Sequence, residues 1–565
     1  MRQDDALLDP PFASLTRHLP GAPLLFCLPY AGGDVSAFWA WRQAFEGAFD
    51  VRVVMLPGRD GRIARPGALA PESIARAIAA HLTAPAEEAP ALIAASPQTA
   101  TPNTPSPQAA SPQAATPEVL SAEVPAPEVV SPEVPTSEVS QVRAPEVSQV
   151  RAQGSQAGRP YAIYGHSMGA RLAFEVAREL RRLGVHPPLR MYVGAAHPPE
   201  RQETLARWTS LDDEELVDEV IHRLGTPEAL RSQPEVKALL VPALRTDMAW
   251  LRGYRYARQE PLGYPVVAFA GAHDREVVDP SMLGWARHTS SWFRLHTLDA
   301  GHLFLNTHGE QVARAIAEDF HGTGSPEQPG EDEVHVWLAD LARLPEVCGA
   351  VGELSPKEAG RAARFRRQEH KDWYVGRSVV LRRLLRSYGV ETGVEELRTK
   401  PGGKPYTGTD LTFSMSQSGG LVLVALAWGR EVGADVERFR PLADEQAFCE
   451  GALDEREAAE FAALPEELRL HSALRTWTAK EAVLKASGDG LRVDPALFGF
   501  AGQQPGATWV PDAAPQVARL AEWRVTHLPL GRAIGAVAVR SSRFRLRFET
   551  VRQSQTEPHR VEAAG

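Results

Sequence analysis

Residues Gly165-His166-Ser167-Met168-Gly169 place a serine between two glycines, after a short apolar run and before a helical pattern. A sharp strand-to-helix turn of that kind holds the Ser167 hydroxyl clear of the backbone, and the Met168 N–H at the helix start can meet a developing oxyanion. A serine nucleophile needs a base, and the base an orienting carboxylate; in this arrangement they follow in the order Ser, Asp, His. Asp274 in FAGAHD and His302 in DAGHLFLN each follow a strand-like apolar run. His273, Asp279, Asp299 and His308 compete on residue type, and chain order together with position after a strand favours Asp274 and His302. A second oxyanion donor would be the Ala31 N–H, in the Ala31-Gly32-Gly33 turn that closes the apolar run Leu24 to Leu28; an ordinary Gly-Gly turn reads the same way.

A second set of residues lies far downstream. In Gly433-Ala434-Asp435-Val436-Glu437 the two acids share one face of an extended strand, as hard oxygen ligands for Mg2+ do, although a solvated strand edge looks alike. Glu481 and Lys485, in WTAKEAVLK, are one helical turn apart, so a third acid and a cation can meet there; a plain surface ion pair is the other reading. The basic stretch Arg361 to Arg386 and the turn Gly403-Lys404-Pro405 add cations. Such a set suits a phosphate-rich ligand, a nucleotide or coenzyme A.

The elements that must carry these groups divide the chain. Short apolar runs at Leu24 to Leu28, Val51 to Leu56, Tyr161 to Tyr164, Leu189 to Val193 and Val266 to Ala270 alternate with helical patterns, which predicts an α/β domain over residues 1–320. Between Leu82 and Pro160 there is no aromatic residue, and SPQAA and (S/P)EVSQVRA each occur twice. Residues 84–158 are therefore expected to be a disordered insertion in that domain. Residues 321–333, HGTGSPEQPGEDE, read as a linker, 334–550 as a second domain, and 551–565 as a disordered tail. The 565 residues suffice for two or three domains, and a net charge of -10 argues against a protein that lives on nucleic acid. Three scattered cysteines indicate neither a disulfide framework nor a zinc site. With no apolar leader and no 18-residue apolar run, a cytoplasmic chain is expected.

Two resemblances sharpen this reading. LPYAGG (28–33), LPGRDGR (56–62), YGHSMGA (164–170), LGTPEAL (224–230), ALRTDM (243–248) and GHLFL (301–305) are similar to the type II thioesterases that accompany nonribosomal peptide and polyketide synthases. The resemblance implies an α/β-hydrolase fold in which Ser167 is acylated, His302 is base and acid, Asp274 orients it, and 199–250 forms a helical lid. GADVE, WTAKEAVLKASGDGL, GGKP and FSMSQS (413–418) resemble the two-lobed 4'-phosphopantetheinyl transferases, with an α+β pseudo-twofold fold. That resemblance implies Mg2+ on Asp435, Glu437 and Glu481, coenzyme A phosphates on Arg377, Lys404, Lys480 and Lys485, and Glu481 or a metal-held water as candidate base. Gln417 stands where the family commonly has His beside the coenzyme's 3'-phosphate, Ala434 where Val or Ile is usual, and Arg65 where an acid is common.

The expected whole is a bifunctional enzyme acting on acyl and peptidyl carrier proteins supplied in trans, with domains that keep their activities when separated. The rival is an esterase or acyl-coenzyme A hydrolase of free substrates carrying a non-catalytic carrier-docking module.

Overall fold

The computed structural model describes residues 11–17, 21–59, 69–83, 159–201, 211–224, 234–321, 327–391, 397–400, 403–442, 444–503 and 508–552. The expected insertion at 84–158, Arg65, and residues 553–565 of the expected tail lie outside them.

The N-terminal half contributes β1 (Phe12–Ser14), β2 (Leu24–Leu28), β3 (Asp50–Val54), β4 (Tyr161–His166), β5 (Arg190–Gly194), β6 (Val266–Gly271) and β7 (Phe293–Leu298). They lie side by side in the order β1-β3-β2-β4-β5-β6-β7, parallel apart from β1. Every residue of β2, β4 and β6 is buried, as expected for parallel strands covered by helices on both faces. From β2 the chain steps to β3 on one side and then returns to β4 on the other. The crevice beyond the carboxyl ends of β2 and β4 is thus the topological switch point, where open α/β sheets bind ligands.

The C-terminal half contributes β8 (Glu333–Asp340), β9 (Arg398–Thr399), β10 (Pro405–Tyr406), β11 (Leu411–Ser418), β12 (Leu421–Trp428), β13 (Val432–Arg438), β14 (Phe498–Gly499), β15 (Asp512–Ala513), β16 (Arg524–Pro529), β17 (Ala533–Val539) and β18 (Arg545–Thr550). Two lobes repeat one theme. In the first, antiparallel β8, β12 and β11 share a core with the helix Gln368–Ser387. In the second, antiparallel β13, β17 and β16 pack against the helix Glu466–Ser487.

The expected linker does not divide two closed sheets. Strand β18 pairs antiparallel with β7 and parallel with β8, so one eleven-stranded sheet runs from β1 to β11. At this seam the fully buried Glu549 accepts from Arg294 Nε and Nη2, both at 2.9 Å, and from Arg552 Nη2 at 2.7 Å. Arg294 also donates to Asp319 at 2.9 Å. Burial alone would raise the Glu549 pKa, and the arginines more than offset it, holding the carboxyl below its usual range. The basic stretch Arg361 to Arg386 is two helices, Pro356–Ala362 and Gln368–Ser387, and part of its charge faces inward. Arg382 donates to Glu358 at 2.6 Å and Arg383 pairs with Glu353. Among the described residues no helix is long and apolar enough to cross a membrane.

Candidate active sites

Ser167 sits on the turn between β4 and the helix Met168–Arg182 at φ 54°, ψ −118°, a conformation costing about 1–3 kcal/mol that the surroundings must impose. They impose it through close packing and one hydrogen bond. A Cβ on Gly165 would lie 2.2 Å from the Gly169 carbonyl oxygen, and one on Gly169 would lie 2.3 Å from that of Leu28. The Ser167 N–H donates to Gly194 O, at the end of β5, at 2.7 Å.

Ser167 Oγ lies 2.9 Å from His302 Nε2, and His302 Nδ1 lies 2.8 Å from Asp274 Oδ2. The other Asp274 oxygen accepts the N–H groups of Glu276 and Val277 at 2.8 and 3.0 Å. Burial pushes the Asp274 pKa up, but the His302 contact and these two N–H groups bring it below the ordinary value, so it is a carboxylate. The arrangement can move a proton from the serine to His302 while Asp274 holds the ring. The competing residues go elsewhere: His273 meets Asp299 at 2.7 Å on the surface, and His308 bonds its neighbour Thr307.

Ala31 and Met168 are buried, and among the described residues no acceptor takes either N–H. The Leu28–Gly33 loop touches the nucleophile turn through the Gly169 contact and through Tyr30, whose ring centroid is 5.8 Å from that of His166. Sequence reasoning passed over His166. Its Nε2 bonds the His302 carbonyl at 2.8 Å and its Nδ1 meets Tyr164 Oη at 3.1 Å; burial lowers its pKa to about 3, so it stays neutral and steadies the catalytic loop. The helices Asp213–Leu224 and Pro234–Gly253 fall within the expected lid, of which 202–210 and 225–233 lie outside the described residues.

In the second half, β11 and β13 meet with matched alternation. Ser414 Oγ accepts from Ala434 N at 3.0 Å, Ser416 Oγ donates to Asp435 Oδ1 at 2.6 Å, and Ser418 Oγ donates to Glu437 Oε2 at 2.7 Å. The S-x-S-x-S pattern of FSMSQS is the sequence signal that these serines aim the acids. Glu481 arrives from the long helix because Gly433 permits close approach: a Cβ there would lie 1.9 Å from Ala482 O.

Lys485 Nζ donates to Asp435 Oδ1 at 2.5 Å and to Ser416 Oγ at 3.1 Å, and lies 3.8 Å from Glu481 Oε2. Burial first, and then the charges of Asp435 and Glu437, push the Glu481 pKa up; burial likewise raises Asp435 and Glu437. Among the described residues no three His, Cys, Asp or Glu side chains converge at metal-holding distances. The donor set nevertheless fits a hard divalent cation. Asp435 Oδ2 is buried with no hydrogen-bond partner, Lys485 alone pairs with Asp435 and Glu481, and Glu437 lies 3.7 Å from Arg440.

Two residues expected to contact phosphate have protein partners in the structure. Lys480 is fully buried, with Glu457 at 2.6 Å and the carbonyls of Ala452 and Pro495 at 2.7 and 2.9 Å; all its hydrogens are taken. Lys404 donates inward to Glu431 at 2.6 Å, Val432 O at 3.0 Å and Ala486 O at 2.9 Å, pinning β13 and the end of the long helix. Gln417 Nε2 donates to Gly419 O at 2.9 Å, within its own hairpin. Arg377 is different: its Nε is buried without a hydrogen-bond partner, and its guanidinium stacks 4.9 Å from the Tyr374 ring centroid. Burial lowers its pKa, and a bound anion would relieve that cost.

Both halves of the chain are similar to known proteins. The family model described as "Thioesterase domain" matches residues 110–320, and "4'-phosphopantetheinyl transferase superfamily" matches 431–533. The gramicidin S biosynthesis protein GrsT of Aneurinibacillus migulanus is 26% identical over 50% of this chain and 82% of its own length. The 4'-phosphopantetheinyl transferase HetI of Nostoc sp. is 36% identical over 28% of this chain and 70% of its own. A solved structure of the type II thioesterase BorB from the borrelidin biosynthetic cluster is 26% identical over 54% of this chain and 96% of that one, with a TM-score of 0.38. Through its C-terminal half the chain belongs to the 4'-phosphopantetheinyl transferase superfamily, and its N-terminal half is matched over residues 110–320 by the thioesterase-domain model.

Proposed function

We propose that residues 1–320 hydrolyse aberrant acyl thioesters on the carrier proteins of nonribosomal peptide or polyketide synthases, and that residues 334–550 load the same carriers with 4'-phosphopantetheine from coenzyme A. The carriers come in trans, and the work is done in the cytoplasm. The observation that carries the reading is the Ser167–His302–Asp274 relay, with Lys485 beside both Asp435 and Glu481 further along the same chain. The likeness to a gramicidin S biosynthesis protein supports a synthase carrier as the partner.

In the hydrolase, Ser167 Oγ attacks the thioester carbonyl carbon as His302 Nε2 takes its proton, and Asp274 holds the Nδ1–H. The Met168 and Ala31 N–H groups receive the oxyanion. Collapse breaks the carbon–sulfur bond, and His302 protonates the departing pantetheine thiolate. Water repeats the sequence and frees the acid and Ser167.

In the transferase, Asp435, Glu437 and Glu481 would hold Mg2+, which when bound neutralises pyrophosphate charge. Arg377 binds a phosphate of the coenzyme. Lys485 keeps Asp435 and Glu481 together. The hydroxyl proton of the carrier serine passes to a base, for which Glu481 is the candidate, as that oxygen attacks the β-phosphorus and 3',5'-ADP leaves.

The test is intact mass of an apo carrier incubated with Mg2+, acetyl-coenzyme A and either the parent chain or Ser167→Ala. The parent should deliver free-thiol carrier and the variant should stop at the acetylated form. A carrier left apo by both would remove the transferase reading for that partner.

A further inference from the structure

Two motifs of the N-terminal half, LPGRDGR and ALRTDM, supply no member of the Ser–His–Asp relay, yet the fold brings them together. Arg59 and Asp247, 188 residues apart, meet as a bidentate pair, Nη1 to Oδ1 at 3.0 Å and Nη2 to Oδ2 at 2.6 Å, with side chains 3% and 0% exposed. Asp247 Oδ2 also accepts the Gly32 N–H at 2.8 Å, and Arg59 Nε donates to Gly33 O at 3.0 Å. Arg59 Nη1 further donates to Pro57 O at 2.8 Å.

The grip falls on one turn. Gly33 N donates to Tyr30 O at 2.8 Å, and Gly32 has φ 75°, the value a type II turn needs at its third residue. Ala31, whose N–H points to no acceptor among the described residues, is the second residue of that turn. Asp247 therefore fixes the Ala31–Gly32 peptide from its N–H side, and Arg59 fixes the following residue from its carbonyl side. Asp247 itself is carried by the helix Pro234–Gly253. A buried ion pair adds little net stability compared with apolar side chains of the same volume, so cohesion alone does not account for it.

We propose that Arg59 and Asp247 are positioning residues for the oxyanion hole: they hold the Tyr30–Gly33 turn with Ala31 N–H ready, and they make that readiness depend on the docking of the helix Pro234–Gly253. The inference rests on Ser167 being the nucleophile.

The test uses the full chain and the double variant Arg59→Met/Asp247→Leu, which removes both charges and keeps the volume. Three readouts are taken: thermal midpoint, kcat and KM on an octanoyl-N-acetylcysteamine thioester, and the rate of Ser167 phosphonylation by a fluorophosphonate. Transfer of phosphopantetheine by the other half of the same protein is the internal control for folding. The expected result is a folded protein with KM within about threefold of the parent, kcat lower by about 10²-fold, and phosphonylation slowed in proportion, the size expected for losing an oxyanion donor. A folded double variant with parental kcat overturns the proposal. If the double variant does not fold, Arg59→Lys decides. It keeps the charge but gives up the fork and the Gly33 contact, so about tenfold lower kcat at parental KM is expected, and parental kcat again overturns the proposal. A parent that hydrolyses no thioester but is phosphonylated at Ser167 would defeat the substrate reading alone, and the phosphonylation ratio would still score the pair. A parent that does neither defeats both.

Discussion

At the scale of single residues, neighbouring positions on one helix have opposite roles. Lys480 and Glu481 adjoin in sequence but lie about 100° apart around the helix axis, so one meets the core and the other the acid cluster. The types and spacing in WTAKEAVLK show that Glu481 and Lys485 share a face; they do not show which face the core covers, and the inward turn of Lys480 was illegible for that reason. The two classes should separate by experiment. Lys480→Met strands Glu457 as a buried unpaired charge and should cost about 3–5 kcal/mol in urea unfolding. Glu481→Gln should leave the unfolding midpoint within about 1 kcal/mol of the parent while lowering holo-carrier formation by two orders of magnitude or more. In the other half, Ser167→Ala should reduce thiol release from an acyl-pantetheine substrate by about 10³-fold or more without touching phosphopantetheine transfer. The Ser–Asp–His order was readable because each residue follows an apolar strand. His166, Ser416 and Ser418 were not, because they act through partners distant in sequence.

Among the elements, the close approach of the long helix to β13 decides whether the third acid reaches the other two. Gly433→Ala would force Ala482 O away from the strand and carry Glu481 with it. Holo-carrier formation should fall at least tenfold, with thioester hydrolysis at the parental rate. The apolar runs that predict β2, β3, β4, β5 and β6 are legible because parallel strands covered on both faces need nearly continuous hydrophobicity. Strand β18, RLRFET, alternates as a strand should, but its partners are set by tertiary packing and no local pattern names them. The seam bears on the expectation of separable domains. A cut at the linker would send β18 away with the transferase and bare the β7 edge. The hydrolase fragment alone should be aggregation-prone in size-exclusion chromatography, and adding the other fragment should recover it.

For the molecule as a whole, several histidines with lowered pKa values work against stability in acid. His166 and His527 are lowered to about 3 and His197 to about 4, each mainly by burial, against 6.5 for the exposed group. Below about pH 6.5 the unfolded chain binds protons that the folded chain refuses, so stability is lost as pH falls from there and the loss levels off near the folded values. Each histidine contributes a slope of up to about 1.4 kcal/mol per pH unit. His527→Gln, which can still donate to Arg475 O, should flatten the measured dependence between pH 6.5 and 5.5 by about 1 kcal/mol. An unchanged slope would mean that His527 takes up its proton in the folded state.

The seam also bears on the order in which the protein can come into being. The ion pair between Arg294 on β7 and Glu549 on β18 spans 255 residues, so the hydrolase leaves the ribosome with one sheet edge open and keeps it open until the transferase has been translated. A nascent chain that stalls before β18 presents that edge to chaperones and proteases. Completing the second half is thus what closes the edge of the first.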